Sequence, residues 1–113
     1  MREILSSKIH KATVTDANLA YTGSITIDKA LLDLVDLWEG QKVLVVDATN
    51  GARLETYVIV GEKNSGIICM NGAAAHLIKK GDEITIMGFE FSDKPIKAKK
   101  ILVDKNNRFL RNL

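Results

Sequence analysis

Short runs of β-branched and apolar residues, separated by turn residues, occupy most of the chain and restrict it to a fold built from short strands. The run Val43–Val46 is continuously apolar, which is typical of a strand buried on both faces. Asn50-Gly51 follows it and is a strong signal for a tight turn. The predicted strands are Ile9–Thr15, Ile25–Ile27, Val43–Val46, Arg53–Val60, Ile67–Met70, Glu83–Phe91 and Lys100–Asp104.

One segment has the pattern of a full helix. Asp28 can cap its N-terminus, and Leu31, Leu32 and Val35 then share one face. Gly40 is predicted to end this helix, because glycine readily adopts the backbone conformation that follows a last helical turn.

A second, shorter helical turn is predicted at Ala73–His76. Many short strands, one full helix and regular turns together favour a small closed barrel. The chain has 113 residues and no internal repeat, linker or low-complexity tract, so a single domain spanning residues 1–113 is predicted.

The charge balance argues against a nucleic-acid partner. The formal net charge is only +2, whereas a dedicated nucleic-acid binder carries a larger and more clustered excess of cations. The basic stretch Lys94–Lys100 is therefore interpreted as a solvated edge or connector. No apolar run approaches the ~20 residues of a membrane span, and the N-terminus lacks the long apolar region of a signal peptide. The single cysteine, Cys69, cannot form an intramolecular disulfide, so we expect a cytoplasmic protein without a membrane partner.

Several common types of site are missing. His10, His76 and Cys69 do not form a zinc-binding pattern, and the sequence has no phosphate-binding glycine loop or dinucleotide fingerprint. Ser24, His10 and Asp47 could in principle form a catalytic triad. Any chain of this size offers such a set, so that signal is weak.

The dipeptide Gly23-Ser24 has two interpretations. Between two strands it is ordinarily a turn, because glycine reaches backbone angles that other residues avoid. The same pair is also what an N-to-O acyl shift requires. The serine hydroxyl must attack the preceding carbonyl, and a residue without a side chain leaves that carbonyl open.

Several ordered blocks of the sequence match a known family. They are Lys8–Thr15, Tyr21–Asp28, Asn50–Tyr57 and Asn71–His76, with Gly81-Asp82 as a shorter match. With these blocks the chain resembles the aspartate 1-decarboxylase family of pyruvoyl-dependent, self-processing proenzymes, over nearly its whole length up to Phe91. The resemblance implies a mainly β fold, a six-stranded double-psi β-barrel with one or two short helices.

The resemblance also implies that the chain cuts itself between Gly23 and Ser24. Residues 1–23 would remain as a short β chain, and residues 24–113 would form an α chain headed by a pyruvoyl group made from Ser24. A ketone forms a Schiff base with the substrate amine and takes up the electrons that decarboxylation releases, the role of pyridoxal phosphate elsewhere. The implied reaction converts L-aspartate to β-alanine and CO₂ for pantothenate synthesis, with neither a metal nor pyridoxal phosphate.

The family implies a role for each matching side chain. Tyr57 is expected to donate the proton that quenches the carbanion. Thr56 is expected to contact the Gly23 carbonyl during cleavage and the substrate afterwards. Lys8 and Arg53 are expected to hold the carboxylates of the substrate, and the Arg53 guanidinium has the geometry for a bidentate pair.

Further residues of the matching blocks are expected to support the site. Gly72, Ala73 and Ala74 would offer backbone N–H groups at the start of a short helix. Asn71 would brace the serine region, and His10 either lies near the site or has a structural role. Family members are homotetramers with active sites between neighbouring subunits, so the same assembly is expected here.

Each of these residues, taken singly, has a simpler interpretation. Lys8 and Arg53 on strands are most often solvated charges, and Thr56 and Tyr57 are ordinary strand formers. Their joint occurrence with Gly23-Ser24 favours the enzyme. The rival hypothesis is a non-catalytic barrel that binds a protein or a nucleic acid, and it predicts an intact chain in which the serine has no role.

Overall fold

The computed structural model describes every residue from Met1 to Leu113, and most of them lie in strands. The elements are β1 (Arg2–Thr13), β2 (Asp16–Asn18), β3 (Ser24–Asp28), α1 (Lys29–Val35), β4 (Lys42–Asp47), β5 (Arg53–Gly61), β6 (Ile68–Asn71), a 3₁₀ helix (Gly72–His76), β7 (Glu83–Ser92), β8 (Lys99–Val103) and β9 (Phe109–Asn112). The predicted mainly β fold is confirmed. Neither helix is long and apolar enough to cross a membrane.

The first strand closes the sheet on itself. β1 pairs with β7, and the chain then passes through Val14 and Thr15 into β2, which pairs with β6. β6 pairs with β3, β3 with β5, β5 with β4, and β4 with β7, so the series of pairings returns to β1. The result is a closed ring in which β1 and β2 share one position.

The ring agrees with the predicted barrel, but the strand count differs. Nine strands are present rather than six. The first strand is divided where its pairing changes from β7 to β6, and β8 and β9 add to the outer edge of β1. The two C-terminal strands therefore extend the sheet beyond the ring, and the double-psi connection stays a prediction.

Burial alternates along β4. Val43, Val45 and Asp47 are buried, whereas Leu44 and Val46 remain partly exposed. The prediction that this run is buried on both faces is wrong, because a strand in a closed ring has one face toward the interior and one toward the outside. The interior is filled by aliphatic side chains without an aromatic residue.

The helix α1 begins where predicted and ends earlier. Asp28 caps it, and the helix ends at Val35, followed by Asp36 in the left-handed conformation with φ 57°. The predicted end at Gly40 is wrong. Leu37 is only 4% exposed, and its burial requires the helix to end first, since a helical continuation would point its side chain away from the buried face. The predicted second helical turn is confirmed by the 3₁₀ helix.

The Asp28 carboxylate joins separate parts of the chain. It accepts hydrogen bonds from the backbone N–H groups of Ala30, Asn64 and Gly66, each at 2.8 Å. Asp28 is 1% exposed, so these donors take the place of water around its charge. The carboxylate therefore fastens the start of α1 to the turn that precedes β6.

Asp28→Ala is expected to lower the free energy of unfolding by about 3 kcal/mol, because three backbone N–H groups lose their acceptor. Asp28→Asn keeps one side-chain oxygen and should be less destabilising. Asp33→Ala, which removes an exposed carboxylate paired with Lys29, is the control and should change stability little. Urea denaturation at a fixed protein concentration measures the three values. A wild-type stability for Asp28→Ala would contradict the role given to this carboxylate.

Candidate functional site

Ser24 is the first residue of β3 and lies within the barrel wall. The antiparallel register with β6 places it opposite Asn71. The serine is 0% exposed. Its Oγ accepts a hydrogen bond from Asn71 Nδ2 at 2.9 Å and donates one to the Thr22 carbonyl oxygen at 3.2 Å. The hydroxyl is therefore held from two sides.

Gly23 and Gly72 pack against each other through their backbones. A Cβ atom on Gly72 would lie 2.7 Å from Gly23 Cα and 2.8 Å from Gly23 N, too close for any side chain. Gly72 also has φ 70°, in the left-handed region that favours glycine. A Cβ atom on Gly23, in contrast, would meet nothing within 4 Å. The backbone before Ser24 is thus packed on one side and open on the other.

An open cleft of about 410 Å³ lies beside Gly23. Its lining residues are Gly23, Leu54, Glu55, Thr56, Tyr57, Asn71, Ala73, Ala74 and Leu77. All but three of them were named from the sequence. Leu54, Glu55 and Leu77 were missed, because an apolar or charged residue on a strand or short helix carries no chemical signal by itself.

Strand β5 sends its side chains alternately inward and outward. Val58 is buried and Thr56 is half-buried on the inner side, whereas Arg53 and Tyr57 are exposed. Tyr57 lines the cleft, but Arg53 lies ~13 Å earlier along the strand and does not. Thr56 and Gly23 share the cleft, while the predicted contact of Thr56 with the Gly23 carbonyl stays a prediction.

Lys8 and His10 lie on β1, three ring positions away from β5. Both residues alternate with the buried Ser7 and Ile9 and so lie on the outer face, and a bulge between Ile9 and Ala12 then returns Ala12 to the core. There His10 Nδ1 lies 3.2 Å from Thr85 Oγ1. Neither Lys8 nor His10 lines the cleft of its own chain. The structure of one subunit therefore does not bring them to Ser24.

Comparison with known sequences identifies the family. A sequence model described as aspartate decarboxylase matches residues 1–110. A protein of Clostridium botulinum (strain Loch Maree / Type A3) named aspartate 1-decarboxylase is 63% identical over 86 residues, which cover 76% of this chain and 68% of that protein. The chain belongs to the aspartate decarboxylase family. Two further aspartate 1-decarboxylases match over more of their length: that of Corynebacterium efficiens is 54% identical over 97% of this chain and 84% of its own, and that of Acetivibrio thermocellus is 50% identical over 95% and 88%.

Membership in the aspartate decarboxylase family confirms the predicted family and the predicted enzyme class, a carboxy-lyase. The roles of individual residues stay predictions. No group of three or more His, Cys, Asp or Glu side chains is placed to hold a metal ion. The expectation that the decarboxylase needs no metal also stays a prediction.

The triad considered from the sequence is not assembled in this decarboxylase. Asp47 accepts two backbone N–H bonds within the turn that follows β4, and His10 and Ser24 have the separate partners described above. Burial raises the pKa of the Asp47 carboxyl, and the neighbouring Asp82 carboxyl raises it further. Burial lowers the pKa of His10, as does the nearby Lys8 charge. Both shifts disfavour the charged forms that a triad would use.

Two side chains beside Asn71 were not recognised from the sequence. Asn71 Nδ2 also donates to Thr26 Oγ1 at 3.0 Å, and Asn71 Oδ1 accepts from Cys69 Sγ at 3.2 Å. Ser24 faces Asn71 and Thr26 faces Cys69 in the strand register, so the four side chains share one face. The i, i+2 spacing within each strand was the available signal. It becomes informative only once the pairing of β3 with β6 is known.

Gly72→Ala is expected to destabilise the protein by about 2–4 kcal/mol, since it adds a collision with Gly23 to the strain of a left-handed backbone. Gly51→Ala is the matched control, because Gly51 has φ 80° but open space around its Cβ position. That variant should lose only about 1 kcal/mol, the cost of the backbone conformation alone. Urea denaturation of both variants gives the difference. Equal losses of stability in the two variants would show that a side chain at position 72 does not collide with Gly23.

Proposed function

We propose that this decarboxylase acts on L-aspartate, that it first cuts its own chain between Gly23 and Ser24, and that Ser24 then becomes a pyruvoyl group. The proposal is carried by the setting of that peptide bond, with a buried serine hydroxyl on one side and a glycine open to the cleft on the other. The names of the relatives support aspartate as the substrate and β-alanine as the product.

Chain cleavage follows from the chemistry of the two residues. Ser24 Oγ bonds to the Gly23 carbonyl carbon, the Gly23–Ser24 C–N bond breaks, and the hydroxyl proton passes to the freed nitrogen. Loss of the Ser24 Cα proton then breaks the Cβ–Oγ bond and releases the Gly23 carboxylate. Water replaces the nitrogen, which leaves as ammonia, and a ketone remains. The products are residues 1–23 and 24–113.

The surroundings of position 24 fit a small uncharged ketone. Asn71 and Thr26 are neutral hydrogen-bonding side chains, and the cleft wall beside them is formed by Ala73 and Ala74. When formed, the pyruvoyl group supplies an electron sink for decarboxylation. Tyr57 reaches the same cleft and is the proposed donor of the proton that replaces CO₂.

The cleft of one subunit lacks a cation for the carboxylates of aspartate. Its lining includes neither lysine nor arginine, and its single carboxylate, Glu55, is paired with Lys42 at 3.1 Å. We therefore propose that Lys8 and Arg53 act in the cleft of a neighbouring subunit. Both lie outside the cleft of their own chain.

The outer face of the sheet supports a homotetramer with active sites between subunits. Leu44, Val46, Met87 and Phe89 are only half-buried there, on the same face as the cations of β1 and β5. A shallow hollow of about 460 Å³ on this face is lined in part by Leu44, Phe89 and the exposed Phe91. Covering these apolar side chains by a second copy would remove them from water.

The cellular setting is part of the proposal. β-Alanine made by this enzyme would feed pantothenate synthesis in the cytoplasm. The chain's only thiol, Cys69, is buried and unpaired, which agrees with a reducing compartment.

Ser24→Ala is expected to abolish both cleavage and decarboxylation, because it removes the attacking hydroxyl. Ser7→Ala is the matched control, since Ser7 is another buried serine, bonded to the Val35 carbonyl oxygen. Denaturing mass spectrometry should show one full-length chain for the first variant and two fragments for the second. Release of CO₂ from labelled aspartate is measured alongside. Undiminished release by Ser24→Ala would exclude the pyruvoyl mechanism, and an intact, inactive wild-type chain would favour the binding-module hypothesis.

Mixed tetramers test the assignment of Lys8 to a neighbouring subunit. Lys8→Ala and Ser24→Ala subunits should each be inactive alone. Refolded together at equal amounts, they should regain activity at about a quarter of the sites, where a processed Ser24 meets an intact Lys8. The steady-state rate of CO₂ release measures the recovery, and size-exclusion chromatography checks the assembly. If tetramers that contain both variants form but stay inactive, Lys8 acts in the cleft of its own subunit, beside its own Ser24.

A further inference from the structure

The Asn71 carboxamide is held at each of its polar ends. Its two N–H groups donate to the Ser24 and Thr26 hydroxyls at 2.9 and 3.0 Å, and its oxygen accepts from the Cys69 thiol at 3.2 Å. Asn71 is 3% exposed, so bulk water does not compete for these bonds. A carboxamide offers two N–H groups and one oxygen, and here each has a partner.

The thiol distinguishes the two ends of this amide. Hydroxyl groups both donate and accept, so Ser24 and Thr26 alone would also accommodate an amide turned by 180°. Burial raises the pKa of the Cys69 thiol, which therefore keeps its proton and acts as a donor. Its distance to Asn71 Oδ1 is 3.2 Å, shorter than the 3.9 Å to its other acceptor, the Met70 carbonyl oxygen. The Cys69 thiol therefore favours the orientation in which the amide oxygen, rather than the NH₂ group, faces it.

The orientation of the amide determines where the Ser24 proton points. With the Asn71 NH₂ group toward the serine, Ser24 Oγ accepts from Asn71, and its own proton is directed at the Thr22 carbonyl oxygen. An amide turned over would present its oxygen to Ser24. The serine hydroxyl would then donate to the amide oxygen instead of the Thr22 carbonyl oxygen. This change would rotate the hydroxyl that must attack Gly23.

We propose that Cys69 and Thr26 are positioning residues for chain cleavage: together they fix the Asn71 amide in the orientation that sets the Ser24 hydroxyl for attack on Gly23. This inference rests on the proposed cleavage between Gly23 and Ser24. Cys69 and Thr26 act through Asn71 rather than on the reacting bond. Their cross-strand pairing places both beside the amide, one on each strand.

Two matched pairs of variants test the proposal. Cys69→Ala and Thr26→Val remove one partner of the amide each, whereas Cys69→Ser and Thr26→Ser keep a side chain that can form the same hydrogen bond. Cleavage of freshly purified precursor, followed by denaturing mass spectrometry, should slow about fivefold in each of the first two, the effect of losing one ordinary hydrogen bond. The serine variants should stay within about twofold of wild type, since the hydrogen bond is kept.

The paired design separates hydrogen bonding from packing. A packing defect slows the serine variants as much as their partners, because serine also changes the volume at both positions. That result overturns the proposal, as do wild-type cleavage rates in Cys69→Ala and Thr26→Val. Unfolding temperatures, measured for all four variants, identify any loss of rate that simply follows loss of stability.

A second measurement does not depend on cleavage. In the full-length protein, nuclear Overhauser contacts between the Asn71 NH₂ protons and the Thr26 methyl group report the amide orientation. These contacts should weaken in Cys69→Ala as a second set of Asn71 signals appears. An unchanged single set in Cys69→Ala overturns the orienting role. A wild-type chain that never cuts itself would instead overturn the proposed function. The nuclear Overhauser contacts would still decide the orientation of the amide.

Discussion

The site depends on the pairing of β3 along both of its edges. β3 runs between β5 and β6, so the backbone from Ser24 onward is fixed by two neighbouring strands. Gly23, one residue earlier, lies outside the sheet. The peptide bond between them therefore joins a residue paired in the sheet to an irregular segment. Gly72, which directly follows β6, closes one side of that segment, so the same strand pair supplies both the partner of the serine and the wall behind the glycine.

The ring supplies only part of a site for an acidic substrate. Its inner face is aliphatic, its cleft contains a phenol, hydroxyls and an amide, and its cations lie on the outer face. Arg53 shares the outer face of β5 with Tyr57, but it lies ~13 Å earlier along the strand and so stays outside the cleft. In the proposed assembly, a second copy of the chain would bring a cation to the cleft without disturbing the core. Assembly and substrate recognition would then be linked.

Local signals predicted most of the strands and the start of α1, because apolar runs, turn residues and the Asp28 cap act within a few residues. Features decided by distant contacts were not predictable in this way. The helix stops before Gly40 because Leu37 enters the core, and Val43–Val46 is exposed on one face because the ring is closed. Most of the cleft residues were found through the family blocks, whereas Thr26 and Cys69 were missed, since their importance arises only from pairing across two strands.

The position of β1 has a consequence for how such an enzyme could be made. Arg2–Thr13 is not a peripheral arm but lies between β7 and β8, with Ile9 and Ala12 in the core. A chain cut after Gly23 would therefore become a complex of two polypeptides within each subunit, held together without a covalent bond. Recovery of the cut protein from denaturant would be a bimolecular reaction that slows on dilution, whereas the uncut precursor folds as one chain. Folding would have to precede cutting, and cutting would make the folded state harder to regain once it is lost.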